Sequence, residues 1–216
     1  MSFWSAVTAL AVAALLFAER TNRSRGLWLA KPLASTAFVA VALKAGALDS
    51  GYGRAVLAGL ALSWLGDVLL IPRNRPRIFL AGVSSFLAGH VAYAAAFVLR
   101  GLDGGAFAVI ALVAGLAGVM ALRWLGPHVP SEMRLAVPAY VLVISVMVVC
   151  AGASFAARGN AWIPLGAVGF YLSDLSVARD RFVAPAFVNR LWGLPLYYAA
   201  QVALGWSVQA ERLLPG

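Results

Sequence analysis

Only two acidic side chains in this sequence fall inside apolar stretches, Asp67 and Asp174. The other six, Glu19, Asp49, Asp103, Glu132, Asp180 and Glu211, sit in connections or at helix ends, where water solvates them. An ionised carboxylate in hydrocarbon costs ~2.5–3.5 kcal/mol on insertion scales, so such acids face a polar cavity or a partner. The competing reading makes them interfacial acids balanced by Arg73 and Arg179. His90, well inside the fourth apolar stretch, is a further proton-exchanging group, because imidazole titrates near neutrality. Tyr93 follows it by three residues, a spacing that puts both on one helix face and toward one cavity. Tyr197 and Gln201 are similarly spaced in the last stretch, with Tyr198 beside them, and Tyr93, Tyr198 and Gln201 are expected to support the site by hydrogen bonds between helices. Lys31, followed by Pro32, starts the second stretch and suits a phosphate at a cavity mouth, with Asn189 and Arg190 contributing likewise. Two histidines and one cysteine are too few for a structural zinc site, which needs about four N/S ligands.

The elements that must position these residues follow from composition. The 216 residues are 62% hydrophobic and 12% charged, against ~45–50% and ~25% for a soluble domain. That excludes an ordinary soluble enzyme and a nucleic-acid-binding module, despite a net charge of +9. A spanning helix needs ~20 mostly apolar residues, and breaks at charges, Pro and Gly leave eight such stretches: Ser2–Ala18, Leu27–Ala45, Gly53–Ile71, Arg77–Leu99, Gly104–Leu125, Met133–Ser154, Ala161–Val177 and Phe187–Val208. The fold class is therefore all-α, a polytopic membrane bundle of about eight helices in a single domain, residues 1–216. The odd-numbered connections with their helix ends hold 12 Lys and Arg, and the remaining connections and termini hold 5. The positive-inside rule then puts the odd connections in the cytoplasm and both termini outside, in the cell membrane. Trp4, Trp28, Trp162 and Trp206 fall near the expected interfaces, and Gly115/Gly118 and Gly166/Gly169 are expected helix-packing contacts.

The halves resemble one another. Trp64-Leu65-Gly66-Asp67-Val68 closes the third stretch and Tyr171-Leu172-Ser173-Asp174-Leu175 nears the end of the seventh. Asp67 precedes His90 by 23 residues, and Asp174 precedes Tyr197 by 23. Leu29-Ala30-Lys31-Pro32 likewise matches Leu135-Ala136-Val137-Pro138. This predicts a four-plus-four parallel repeat, halves about 1–103 and 104–216, which brings both aspartates to one face.

Gly66-Asp67-Val68-Leu69-Leu70, Phe79…Gly82…Phe86…His90…Tyr93, Phe170…Ser173-Asp174 and Tyr197-Tyr198…Gln201, with Lys31-Pro32 and Pro138…Tyr140…Met147, resemble the YhhN-type lysoplasmalogenase family over roughly Lys31 to Gln201. The resemblance implies hydrolysis of the vinyl ether bond of a lysophospholipid substrate, a lysoplasmalogen, with Asp67 and Asp174 as the acids required and no metal or cofactor. Vinyl ether hydrolysis calls for one protonated carboxyl and one carboxylate, the logic of paired acids in glycosidases. Asp67, in the drier surroundings, is expected to be the acid, with His90 and Tyr197 positioning water or steadying the cation and Lys31 holding the phosphate. The alternative is a small-molecule or lipid transporter on a parallel repeat.

Overall fold

The computed structural model describes residues 3–72 and 75–213. Ser2 of the first stretch, Arg73 of the third connection and the side chain of Arg212 lie outside the described residues. Among the described residues there are eight α-helices: α1 (Phe3–Arg20), α2 (Ser24–Lys44), α3 (Gly51–Leu69), α4 (Pro76–Arg100), α5 (Gly104–Leu125), α6 (Ala136–Arg158), α7 (Trp162–Ala178) and α8 (Phe187–Leu213). Each expected stretch is one helix. Their ends follow local chemistry. Ser50 accepts a hydrogen bond from the Gly53 N–H at 2.9 Å and Asp103 from the Ala106 N–H at 2.7 Å, capping α3 and α5. Pro76 opens α4 in the first turn, where its missing N–H has no intrahelical role. Short 3-10 turns at Gly126–His128 and Ser131–Met133 delay α6 to Ala136, and α7 runs into a π-helical turn, Arg179–Val183.

Consecutive helices pack as pairs, α1/α2, α3/α4, α5/α6 and α7/α8, and α8 also touches α1, α2 and α3. Across the halves, α2 meets α8 and α4 meets α6. The core between them holds Phe38, Leu60, Phe97, Met147, Phe170 and Leu204, all fully buried. Glycines permit the closest approaches. A Cβ on Gly59 would lie 2.5 Å from the Tyr93 ring, and one on Gly66 would lie 2.7 Å from the Phe86 ring. Gly166 and Gly169 face α8 as expected, but Gly115 meets nothing within 4 Å.

Five helices, α1, α2, α4, α5 and α6, are long and apolar enough to cross a membrane, which makes the chain a multi-pass membrane protein. The other three are α7, with 17 residues, and the more polar α3 and α8. These carry both aspartates and both adjacent tyrosines, and neighbouring helices shelter the faces that bear them. α5 is the opposite case. It packs chiefly on α6 and presents Val109, Leu112, Leu116 and Met120 outward, a face suited to lipid.

At the end away from the arginine-rich connections, Arg100 is buried rather than solvated. It ion-pairs with Glu211 at 2.5 Å and donates to the Ser154 and Arg158 carbonyls at 2.7 and 3.0 Å, tying α4, α6 and α8 together. This corrects the expectation that Glu211 is a solvated acid. The sequence displays its position in the last helix, not the buried cation opposite it.

Candidate active site

Asp67 and Asp174 line one cavity of about 470 Å³. Each sits near the C-terminal end of its helix, so both point into the end of the bundle that bears the arginine-rich connections. Their surroundings differ.

Asp67 is almost fully buried and is held by three elements. Lys31 of α2 places Nζ 3.3 Å from Oδ1. One turn further along α2, Ser35 donates to Oδ2 at 2.6 Å, and Tyr197 of α8 donates to the same oxygen at 2.7 Å. The Tyr198 hydroxyl lies 3.2 Å from Ser35 Oγ, behind the cavity wall. Tyr198 also donates to the Lys31 carbonyl at 3.4 Å. Arg179 does not play the balancing part, since it donates to Asn189, and Arg73 lies outside the described residues.

Asp174 is more open, with 20% of its side chain exposed. Tyr140 of α6 donates to its Oδ2 at 2.8 Å, and His90 Nε2 lies 3.2 Å from that oxygen and 3.0 Å from the Tyr140 hydroxyl. His90 is fully buried and reaches Asp174 through this triangle. Among the described residues no Lys or Arg pairs with Asp174, and its Oδ1 has no protein hydrogen bond. Phe170 of α7 separates the two carboxylate clusters, its ring 4.5 Å from His90 and 5.2 Å from Tyr197.

Tyr93 and Gln201 lie deeper. The Tyr93 hydroxyl donates to Gln201 Oε1 at 2.7 Å, and neither residue lines the cavity. His90 and Tyr93 therefore do not share the cavity that their spacing suggested. Phe170 sits against both rings and closes that side.

At the mouth, Arg190 bridges Asp180 at 2.9 Å and Glu19 at 3.5 Å. Asn189 donates to Asp180 at 3.1 Å and to the Ala184 carbonyl at 2.8 Å. Against the cost of its burial, bonds from Asn189, the Ala186 N–H and Arg190 hold the Asp180 carboxyl below the usual range. Asn189 and Arg190 thus clasp α1, the π-helical turn and the start of α8. From this charged mouth an apolar arm runs between α4 and α6, lined by Phe79, Val83, Val137, Val141 and Ile144.

The sequence reading missed Ser35 and Tyr140 as site residues. Ser35 had a legible signal, since it lies four residues from Lys31 on the same helix face. Tyr140 was noted only within a family pattern. Its tie to Asp174 depends on α6 packing against α7, which no local spacing encodes.

A profile of the YhhN family matches residues 26–208. The chain is 34% identical over 176 residues to a protein of Sus scrofa named lysoplasmalogenase TMEM86B, covering 81% of this chain and 73% of that one. It is 30% identical over 163 residues to lysoplasmalogenase TMEM86A of Bos taurus, covering 73% and 66%. It is 32% identical over 160 residues to human lysoplasmalogenase TMEM86B, covering 74% and 65%. The matched span therefore takes in about two thirds of the bovine and human relatives' own length. No solved structure matches.

Proposed function

The chain belongs to the YhhN family, and on that premise we propose that it hydrolyses the vinyl ether bond of lysoplasmalogens, giving a fatty aldehyde and a glycerophospho-alcohol. One observation carries the reading: two carboxylates line a single cavity that has a charged mouth and an apolar arm, the outline of a lysophospholipid. The relatives' names favour hydrolysis over transport on the same bundle.

The reaction begins with a proton delivered to the β-carbon of the vinyl ether. A C–H bond forms, and the positive charge is shared by the ether oxygen and the α-carbon. Water adds to the α-carbon and gives its surplus proton to a base. The hemiacetal then collapses: its C–O bond to the glycerol breaks, the leaving oxygen takes the proton held by that base, and the hydroxyl proton passes to the spent acid, giving aldehyde and alcohol.

The two aspartates suit these steps unequally. Three donors, one of them a cation, converge on Asp67, an arrangement that favours the carboxylate. Asp67 faces the oxocarbenium as a fixed negative charge and accepts the proton from water. Asp174, with no Lys or Arg partner among the described residues and Oδ1 without a hydrogen bond from them, is the acid. Tyr140 and His90 orient its carboxyl through Oδ2, and the hydroxyl proton released when the hemiacetal collapses recharges it. This assignment is the reverse of the one expected from sequence, which weighed dryness and did not have the Lys31 ion pair. Tyr197 and Ser35 keep Asp67 in place, with Tyr198, Tyr93 and Gln201 packed behind them.

The basic connections and anionic lipid argue for the cavity mouth lying at the cytoplasmic face of the cell membrane, with both termini outside. The test is aldehyde release from a lysoplasmalogen by purified protein in detergent. Asp67→Asn and Asp174→Asn should each lower kcat by ~10²–10⁴-fold, the range for a positioned acid or base, with helicity and melting behaviour retained. Normal turnover in both variants overturns the paired-carboxylate mechanism.

A further inference from the structure

Among the described residues three basic side chains line the cavity, Lys31, Arg181 and Arg190. Lys31 is paired with Asp67, and Arg190 bridges Asp180 and Glu19. Arg181 has no carboxylate partner among the described residues. Its guanidinium instead lies 4.4 Å from the centroid of the Phe79 ring, across the mouth from its own helix. The ring contact holds the group beside the cavity, and its N–H groups make no hydrogen bond to a described residue, which leaves them for a phosphate that accepts two parallel hydrogen bonds. Arg181 belongs to the π-helical turn that extends α7, seven residues beyond Asp174, so it lies roughly 10 Å further along the axis and lines the same cavity. In a lysophospholipid the glycerol carbons separate the sn-1 ether from the phosphate along the same direction. The positive-inside bias explains why an arginine lies in this connection. It does not explain why this one lines the cavity and is held over an α4 ring, whereas Arg77, equally basic and exposed, is outside it.

We propose that Arg181, held over Phe79, is the phosphate-recognising residue of the cavity, and that it selects phosphate-bearing alkenyl lipids over neutral alkenyl glycerols. This rests on the hydrolase reading above. The experiment compares wild type, Arg181→Gln, Arg181→Lys and Arg77→Gln on a 1-alkenyl-glycerophosphoethanolamine and on the corresponding phosphate-free 1-alkenylglycerol. Binding of the saturated 1-alkyl-glycerophosphoethanolamine, followed by tryptophan fluorescence, reads recognition without turnover. Arg181→Gln should raise KM for the phospholipid and weaken the saturated analogue by roughly tenfold, the loss of a charge-assisted bidentate contact. Its kcat, and its KM for the neutral lipid, should stay near wild type, Arg181→Lys should recover part of the loss, and Arg77→Gln should behave as wild type. An unchanged KM, an equal rise on both lipids or an equal effect of Arg77→Gln overturns the assignment. Absence of aldehyde from both lipids with wild-type protein overturns the hydrolase reading instead, and analogue binding still decides the role of Arg181.

Discussion

At the level of single residues, the site is two carboxylates made unlike by their neighbours. Asp67 receives an ammonium and two hydroxyl protons, so losing one hydroxyl leaves two donors in place. Asp174 depends on Tyr140 and His90, both bound to one of its oxygens. A hydrogen bond to a charged group contributes ~1.5–3 kcal/mol, and a rate changes tenfold for each ~1.4 kcal/mol. Tyr140→Phe should therefore lower kcat roughly tenfold to a hundredfold, while Ser35→Ala should cost only a few-fold. Steady-state kinetics on a lysoplasmalogen checks both. A kcat loss in Ser35→Ala equal to that in Tyr140→Phe would contradict the unequal roles given to the two acids.

At the level of elements, the sequence revealed what depends on one helix and hid what depends on two. α5 is apolar but for Arg123 in its last turn, and its ends are legible from Asp103-Gly104 and Gly126-Pro127, matching Gly104–Leu125. Asp67 and Asp174 stood out because a charge in an apolar run needs a reason whatever lies opposite. Arg100 looked like an ordinary helix-end cation, and its burial became visible only once α6 and α8 were packed against α4. Tyr140 was hidden in the same way. α6 now carries a stripe, Val137, Tyr140, Val141 and Ile144, whose three- and four-residue spacings put the hydroxyl and the apolar arm on one face. Val141 is half-buried and lines that arm. Val141→Phe should shorten the room for the alkenyl chain by about two methylenes, each worth ~0.8 kcal/mol of burial. KM for long-chain substrates should rise on the order of tenfold, with short chains almost unaffected. A chain-length series measures this, and an equal change at every length would place the alkenyl chain elsewhere.

At the level of the whole molecule, the contacts cross between halves. Asp67 of the first half is held by Tyr197 of the second, and Asp174 of the second by His90 of the first. His90 and Tyr197 stand at equal distances from their own aspartates in sequence, and α2 meets α8 as α4 meets α6. Such an exchange is what two parallel repeats produce when they assemble face to face, and it supports the four-plus-four duplication as the origin of a shared cavity. Parallel repeats bring both aspartates to one side of the membrane, so the direction in which the bundle sits decides which leaflet supplies the substrate. The charge bias argues for the cytoplasmic leaflet. The native Cys150 is buried, which leaves a quiet background for introduced thiols. Leu48→Cys lies in the second connection and Ser131→Cys in the fifth, both at exposed positions. With a membrane-impermeant maleimide on intact cells, Leu48→Cys should label at once and Ser131→Cys only after permeabilisation. The opposite pattern would turn the cavity outward and make the outer leaflet its source of lipid. Labelling of both in intact cells would break the alternation of connections on which the orientation rests.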